Sequence, residues 1–394
     1  MRWAGLTVPE ATLYRVEGIL CAMAAYGAGK TSWVEVSRGA LQANFEAVST
    51  HAGTAVCAVV KSNAYGSGLV ECARIFHHAG ARMVAVTRVE EARELRDAGV
   101  TADILVLAPP LREALGLAIT MDCALVLSDG GDVEPYAAAA KAVGRRARVH
   151  LKIDTGMGRL GVRPEHAPGI ASRVALSDNL SLEGVWTHFA DAGGPTGRQQ
   201  LDTFLGVRSI LHHYAPRAIM HVANSAGTIA LPDARLDMVR VGTLLYGQDP
   251  VGAHAPFALR DPFTWLAAVV SVRELPAGQP VGYGGEWRAK VPTRVATLPI
   301  GYADGFGLQP AARSESISEA ARIGARVAAV ALGGRPSPRF VWFGERKAPV
   351  VGRIAMQEVT VRVDGIAGVE PGSIARIPAR RLLVGAGIER VYVP

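Results

Sequence analysis

Cysteine and lysine are both scarce in this sequence of 394 residues. The four cysteines have no C-x-x-C or metal-like spacing and lie among apolar residues, which excludes a disulfide scaffold and favours reduced cysteines in a cytoplasmic protein. We predict no metal site. No apolar run is long enough to span a bilayer, and the apolar stretch at 18–27 has no basic leader, so neither a signal peptide nor a membrane anchor is expected.

Lysine contributes only six of the 42 basic residues, so nearly all of the positive charge is arginine. The arginines are scattered along the chain, which argues against a nucleic-acid-binding surface despite the net charge of +7. A hydrophobic content of 49% with 20% charged residues is typical of a globular enzyme. Because lysines are few, a lysine at a chemically suitable position deserves particular weight.

The pattern of apolar runs predicts an α/β protein with two domains. Runs rich in Val, Ile and Leu alternate with helical patterns and predict parallel strands at 54–61, 82–87, 103–107, 123–127, 148–153, 182–188, 218–222 and 237–242. Eight such units favour a (β/α)₈ TIM-type barrel. Strand-like segments without long helices follow at 264–272, 293–299, 339–343, 359–363 and 388–393, which predicts a mostly β domain. We therefore expect an N-terminal extension over 1–32, a barrel over 33–253 and a β domain over 254–394, with an insertion at 309–338.

Polar residues follow the predicted barrel strands at the end where barrel enzymes carry their chemistry. Lys61 ends the first strand, where apolar surroundings would lower its pKa and suit it to imine formation or proton abstraction. Taken alone, Lys61 also fits a surface lysine whose amine reaches solvent. Arg159 follows a tight glycine-containing turn and offers two parallel donors to a carboxylate.

The last two predicted strands end with groups suited to a phosphate. Ser225 supplies a hydroxyl, and Gly242 and Thr243 supply backbone N–H groups, at the position where barrels commonly bind phosphate. Each residue alone fits an ordinary loop or helix cap. Their occurrence at one rim together with Lys61 predicts a functional site.

Six motifs, taken together, resemble the alanine racemase family. They are AVVKSNAYG at 58–66, KIDTGMGR at 152–159, HVANS at 221–225, GYG at 282–284, GYADG at 301–305 and VGRIAM at 351–356. The resemblance runs from about residue 33 to the C-terminus. It implies an amino-acid racemase that binds pyridoxal 5'-phosphate, acts on a small amino acid such as alanine in D-alanine biosynthesis, and forms a homodimer with shared active sites.

The resemblance also implies residue roles. Lys61 holds the cofactor covalently and serves as one acid/base group, and Tyr283 of the partner subunit serves as the other, because racemisation needs proton transfer on two opposite faces. Arg240 faces the pyridine nitrogen. Arg159 and Met356 hold the substrate carboxylate, with Tyr302 at the entrance, and Lys152 corresponds to a lysine that is carbamylated in many relatives. The other cofactor-site residues are Tyr65, His188 (which also hydrogen-bonds the tyrosine), Asn224, Ser225, Gly242 and Thr243.

The sequence departs from the family pattern in three places. Gln357 and Glu358 replace the usual acidic residue and glutamine after Met356, and the segment 191–194 is also unusual. Small residues at 385–387 stand where relatives have a tyrosine for the cofactor phosphate, and Tyr392 comes too late to replace it. Three explanations stay open: Ser225, Tyr65 and the backbone suffice for the phosphate, the insertion at 309–338 compensates, or the cofactor binds more weakly.

Two alternatives to a racemase stay open. One is a cofactor-binding protein with little turnover, although single-domain proteins of that type lack the second domain that carries Tyr283. The other is different carbanion chemistry on the same fold, either retro-aldol cleavage or decarboxylation. Arg240 argues against decarboxylation, because a guanidinium does not protonate the pyridine ring.

Overall fold

The computed structural model describes residues 29–250, 255–308 and 339–394. The predicted insertion at 309–338 and most of the predicted N-terminal extension lie outside these residues. The first described strand, β1 (Ser32–Ser37), leads into helix α1 (Arg38–Ala52). This helix begins where the Ser37 side chain accepts a hydrogen bond from Ala40 N and ends at Gly53, whose φ of 63° favours glycine.

Eight parallel strands form the first domain and confirm the predicted barrel. They are β2 (Ala55–Val59), β3 (Met83–Val86), β4 (Ile104–Val106), β5 (Cys123–Leu127), β6 (Ala147–Lys152), β7 (Leu180–Trp186), β8 (Ile219–His221) and β9 (Met238–Val241). The helices between them are α2 (Leu69–His78), α3 (Val89–Asp97), α4 (Arg112–Thr120), α5 (Val133–Ala142), α6 (Ala167–Ala175), α7 (Pro195–Tyr214) and α8 (Ser225–Ala230). Among the described residues, no helix has both the length and the apolar character needed to cross a membrane.

The barrel is closed because its last strand, β9, pairs with its first strand, β2, on one side and with β8 on the other. The strand order is β8-β7-β6-β5-β4-β3-β2-β9. Between β9 and β8, Arg240 N donates to Ala223 O at 2.9 Å and Asp237 N donates to Met220 O at 3.1 Å. Strands buried on both faces by helices outside and side chains inside must be almost wholly apolar, which explains the continuous apolar runs in the sequence.

Alternate residues of these strands point into the barrel and divide its interior into two layers. The apolar layer contains Cys57, Val59, Met83, Ala85, Leu105, Ala124 and Met238. Polar side chains follow at the same alternation toward the C-terminal ends of the strands: His150, Lys152, His221 and Arg240, all at most 3% exposed. The polar residues of the candidate site therefore lie next to the apolar layer, toward the C-terminal ends of the strands.

The second domain is built mostly from antiparallel strands, with one parallel pair between β1 and β19, and it includes the first described strand of the chain. Its strands are β10 (Phe263–Ala268), β11 (Ser271–Leu275), β12 (Pro280–Val281), β13 (Trp287–Arg288), β14 (Thr293–Leu298), β15 (Phe340–Phe343), β16 (Arg346–Pro349), β17 (Val359–Arg362), β18 (Ile374–Ile377) and β19 (Glu389–Val393). They form sheets ordered β16-β15-β18-β10-β1-β19, β11-β14-β17 and β12-β13. The predicted strand at 264–272 is two strands, β10 and β11. Residues 33–37 of β1 fall in the predicted barrel range 33–253, but β1 pairs with β10 and β19 instead of a barrel strand.

Candidate active site

Lys61 follows β2 at the C-terminal end of the barrel, where a left-handed turn fixes its surroundings. The next four residues, Ser62 to Tyr65, all have positive φ between 52° and 55°. Left-handed backbone costs roughly 1–2 kcal/mol per residue for L-amino acids, so surrounding contacts must hold the turn. Burial and the nearby Arg159 lower the pKa of Lys61, and Glu91 opposes that effect. A larger neutral fraction makes the amine more nucleophilic.

Arg240 lies in the barrel interior with nearly all of its donors engaged. Its Nη1 donates to His221 Nδ1 at 2.8 Å and to His221 O at 2.7 Å, and its Nη2 donates to Thr187 O at 2.7 Å. Within the described ranges, Arg240 Nε–H has no hydrogen-bond partner and the guanidinium has no carboxylate partner. Arg240 can therefore offer one further N–H to a ligand.

The Arg240 guanidinium also determines how two buried histidines share their protons. Because a guanidinium only donates, His221 Nδ1 must accept and His221 carries its proton on Nε2. His221 Nε2 then donates to His150 Nδ1 at 2.9 Å. Burial lowers the pKa of His150 to about 3, and burial with Arg240 lowers the pKa of His188 to about 3. The imidazoles of His150 and His188 are therefore neutral at physiological pH.

Three groups meet at the phosphate-type position after β8 and β9. Gly242 N donates to Ser225 Oγ at 3.1 Å. A side chain at Gly242 would collide with the Tyr65 hydroxyl, so glycine is required for this approach. Burial raises the pKa of Tyr65 to about 12, which keeps its phenol protonated as a donor. Asn224 caps α8 through Gly227 N at 2.9 Å, and Thr243 begins a short 3₁₀ turn beside this cluster.

Lys152 is the last residue of β6, and the exposed Arg159 follows it in the next loop. Lys152 is 2% exposed, and its Nζ lies 4.6 Å from the centre of the Trp186 ring. Burial, Arg159 and Arg240 lower its pKa to about 8. The turn before Arg159 is held by Asp154 Oδ1, which accepts from Gly156 N, Met157 N and Gly158 N at 2.9–3.1 Å. This end of the barrel thus collects cationic groups, which favour an anionic ligand.

Comparisons with known proteins agree with this geometry. Residues 36–250 match the N-terminal domain of the alanine racemase family, and residues 263–381 match its C-terminal domain. The chain belongs to the alanine racemase family. This confirms the resemblance drawn from the six motifs.

Relatives of the family cover nearly the whole chain. It is 33% identical to an alanine racemase of Syntrophobacter fumaroxidans over 367 residues, which are 91% of this chain and 90% of that protein. Solved alanine racemases from D-cycloserine-producing Streptomyces lavendulae and from Clostridium difficile give TM-scores of 0.76 and 0.82 at 31% and 26% identity. They cover 93% and 92% of this chain, and the match spans 97% and 96% of those chains.

Three residues that the family motifs predict for the site lie on the second domain and face outward. Tyr283, Tyr302 and Met356 are 74%, 47% and 58% exposed. Backbone bonds join the last two loops, from Tyr302 N to Ala355 O at 3.1 Å and from Ala303 N to Met356 O at 3.0 Å. Within the described part of the chain, no hydrogen bond or ion pair joins these three residues to Lys61 or Arg159. The roles of Tyr283, Tyr302 and Met356 therefore stay predictions.

The family's missing phosphate tyrosine has no substitute at Tyr392. The Tyr392 hydroxyl donates to Ser67 O at 2.7 Å and so fastens β19 to the loop after Lys61. Beside it, Arg390 Nε donates to Gly66 O at 2.9 Å and Arg390 Nη1 to Gly385 O at 2.7 Å. These contacts give the C-terminal strand a structural function. They leave the Ser225 hydroxyl and the Tyr65 phenol as the described candidates for a phosphate, since the Gly242 N–H predicted for it already donates to Ser225 Oγ.

Some site residues were missed by the motif comparison. Gln200 of α7 joins the loops after β6 and β7, donating to Thr155 Oγ1 at 3.3 Å and to His188 O at 3.2 Å. Gln200 lies in a helical pattern of the sequence, and that pattern does not indicate these contacts. His150 could have been found, because it precedes Lys152 by two residues and strand alternation places both inside the barrel. Trp186 also lines the site, with Arg240 Cζ 4.5 Å from its ring centre.

Proposed function

We propose that this protein is an alanine racemase that uses pyridoxal 5'-phosphate, with Lys61 of one subunit and Tyr283 of the partner subunit as its two acid/base groups. The observation that carries the proposal is a half-buried Lys61 with a lowered pKa at the same end of the barrel as Arg240, whose Nε–H has no partner among the described residues. Membership of the alanine racemase family supports the reaction and its substrate.

The residues at this end of the barrel have the chemistry to hold both ends of the cofactor. The Ser225 hydroxyl and the protonated Tyr65 phenol can hold the phosphate near Gly242, whose lack of a side chain leaves room for them. At the other end, Arg240 Nε–H can donate to a pyridine nitrogen. Lys61 supplies the amine for covalent attachment. When bound, pyridoxal phosphate supplies an electron-withdrawing ring that acidifies the Cα–H bond of an attached amino acid.

Two protein groups would then move the proton on opposite faces of the substrate. Lys61 removes or returns it on one face, and the partner subunit's Tyr283 does so on the other. The high exposure of Tyr283, Tyr302 and Met356 supports a homodimer in which these residues cover the neighbouring barrel. Arg159 and the backbone at Met356 would orient the substrate carboxylate, and Lys152 would support Arg159.

The setting of Arg240 favours racemisation over the other reactions. Arg240 would donate a hydrogen bond to the ring nitrogen and keep its own proton, so it would support weaker electron withdrawal than a carboxylic acid at that position. Burial lowers the pKa of Arg240 to about 10, which still leaves it charged at neutral pH. Weaker electron withdrawal favours rapid return of the proton to Cα over competing bond cleavages.

A panel assay tests the function directly. The purified chain, with its cofactor absorbance recorded first, is incubated with a set of L-amino acids, and the D-enantiomers are separated chromatographically. We expect D-alanine as the main product. Loss of carbon dioxide or formation of an aldehyde would support other carbanion chemistry, and cofactor binding without any product would support the binding-protein alternative.

Removal of the Ser225 hydroxyl is expected to weaken cofactor retention. A hydrogen bond to a charged group contributes about 1.5–3 kcal/mol, so Ser225→Ala should lower affinity by roughly tenfold to more than a hundredfold. Dialysis followed by absorbance and reactivation with added pyridoxal phosphate measures the loss. Thr203→Ala, an exposed hydroxyl on α7, serves as the matched control and should retain cofactor like the native chain. Equal retention in all three proteins would show that other residues hold the phosphate.

A further inference from the structure

The left-handed turn after Lys61 connects two groups that must be held at a set separation. Lys61 stands at its beginning and Tyr65 at its end, where the phenol contacts the Ser225 and Gly242 cluster. In the proposed function these side chains bind opposite ends of the same cofactor. Four successive residues in a conformation that L-amino acids disfavour would relax unless contacts outside the turn held it.

Glu91 makes such a contact from a neighbouring helix. Its Oε1 accepts from Ser62 N at 2.6 Å, the first amide after Lys61. Its Oε2 accepts from Thr87 N at 2.9 Å and from Arg88 N at 3.1 Å at the beginning of α3. A single carboxylate thus joins the turn to the adjacent βα unit with both of its oxygens. Hydrogen bonds to an ionised acceptor are stronger than neutral ones.

Glu91 also brings negative charge to a group of residues dominated by cations. Arg159 disfavours the charged form of Lys61, Glu91 favours it, and Lys61 in turn acts on Lys152 and on His188. Asp154, the acidic group beside Lys152, uses its carboxylate to hold the turn before Arg159. Glu91 therefore combines a backbone contact with a charge that acts on Lys61.

We propose that Glu91 is a positioning residue for Lys61: its carboxylate fixes the peptide that follows Lys61 and so holds the left-handed turn at the length that the cofactor requires. The catalytic consequence rests on the proposed function. The clamp, which is the set of hydrogen bonds from Ser62 N, Thr87 N and Arg88 N to the Glu91 carboxylate, is a property of the chain and can be measured without turnover.

Two substitutions separate the clamp from the charge. Glu91→Gln removes the charge and replaces one acceptor oxygen by a donor, whereas Glu91→Asp keeps the charge on a side chain too short to bridge both contacts. Asp132→Asn is the matched control for lost helix capping, because Asp132 Oδ2 accepts from Ser128 N at 3.0 Å and from Asp129 N at 2.9 Å before α5. Glu90→Gln controls for surface charge.

Hydrogen exchange of the peptide 58–66 in the full-length chain measures the clamp. We expect protection in the native chain, Glu90→Gln and Asp132→Asn, and faster exchange in both Glu91 variants. The pH dependence of Lys61 acetylation is measured in chain freed of cofactor, with the exposed Lys141 as the internal competitor. This curve should shift to lower pH in Glu91→Gln, because Glu91 favours the protonated form of Lys61, and it should stay near the native curve in Glu91→Asp. With cofactor, kcat should fall at least about tenfold in both Glu91 variants, with a smaller change in KM, because misplaced reacting groups lose rate.

The outcomes distinguish this inference from the proposed function. Rapid exchange of this peptide in the native chain would overturn the clamp, and that measurement needs no variant to fold. Native exchange and labelling in a folded Glu91→Gln protein would overturn it as well. If the chain racemises no amino acid but exchange and labelling follow the expected pattern, the proposed function fails and the clamp stands.

Discussion

Replacement of Lys61 by alanine is expected to abolish racemisation and covalent retention of the cofactor together. General acid/base catalysis alone contributes about 10² to 10⁴ in rate, and Lys61 would also hold the cofactor, so the loss should exceed about 10⁴-fold. The amine is suited to both tasks because burial and Arg159 lower its pKa. Chromatographic measurement of D-alanine and the cofactor absorbance spectrum give the two readouts.

Borohydride reduction identifies the attachment site independently of activity. Reduction of the native protein, followed by peptide mapping, should place the cofactor on Lys61. Lys290→Ala provides the control, because Lys290 is exposed on the second domain and should leave both spectrum and rate unchanged. Recovery of the reduced cofactor on Lys152 or Lys290 would contradict the assignment.

Substitution of Tyr283 by phenylalanine should produce a large and directionally unequal loss. The change removes only the hydroxyl, so the cofactor should stay bound while proton exchange on one face of Cα slows by roughly 10² to 10⁴. Exchange of the Cα proton in D₂O, started separately from L- and D-alanine, measures each face. Tyr214→Phe on α7 is the matched control and should behave like the native chain. Small and equal losses from both enantiomers would count against the role.

Mixing two inactive variants tests whether the subunits share a site. Lys61→Ala and Tyr283→Phe chains should regain activity after subunit exchange, since a mixed dimer would have one site with both groups intact. The exposed position of Tyr283 on the second domain is the reason to expect this. Demonstrated exchange without any recovery would show that each subunit acts alone.

Local patterns were sufficient to predict the barrel and the ends of its strands. All eight predicted barrel strands are present, and Lys61, Lys152 and Arg240 stand at or beside their C-terminal ends as expected. A parallel strand buried on both faces needs a continuous apolar run, so its end is visible as the first polar residue. The second domain was predicted less completely, because its short strands β12, β13, β16 and β18 leave no comparable pattern.

The sequence by itself determined the two-domain α/β organisation, the family and the candidate lysine, because these depend on hydrophobic periodicity and on residues that are neighbours along the chain. Only the tertiary structure decided which hydrogen-bond donors of the candidate site stay available to a ligand. The bond between His150 and His221 joins residues 71 apart, and the bond from Ser62 N to Glu91 spans 29 residues. The pairing of β1 with β10 likewise joins residues that are far apart in the sequence. Hydrogen-bond partners across a closed barrel depend on strand register and closure, which no local spacing encodes.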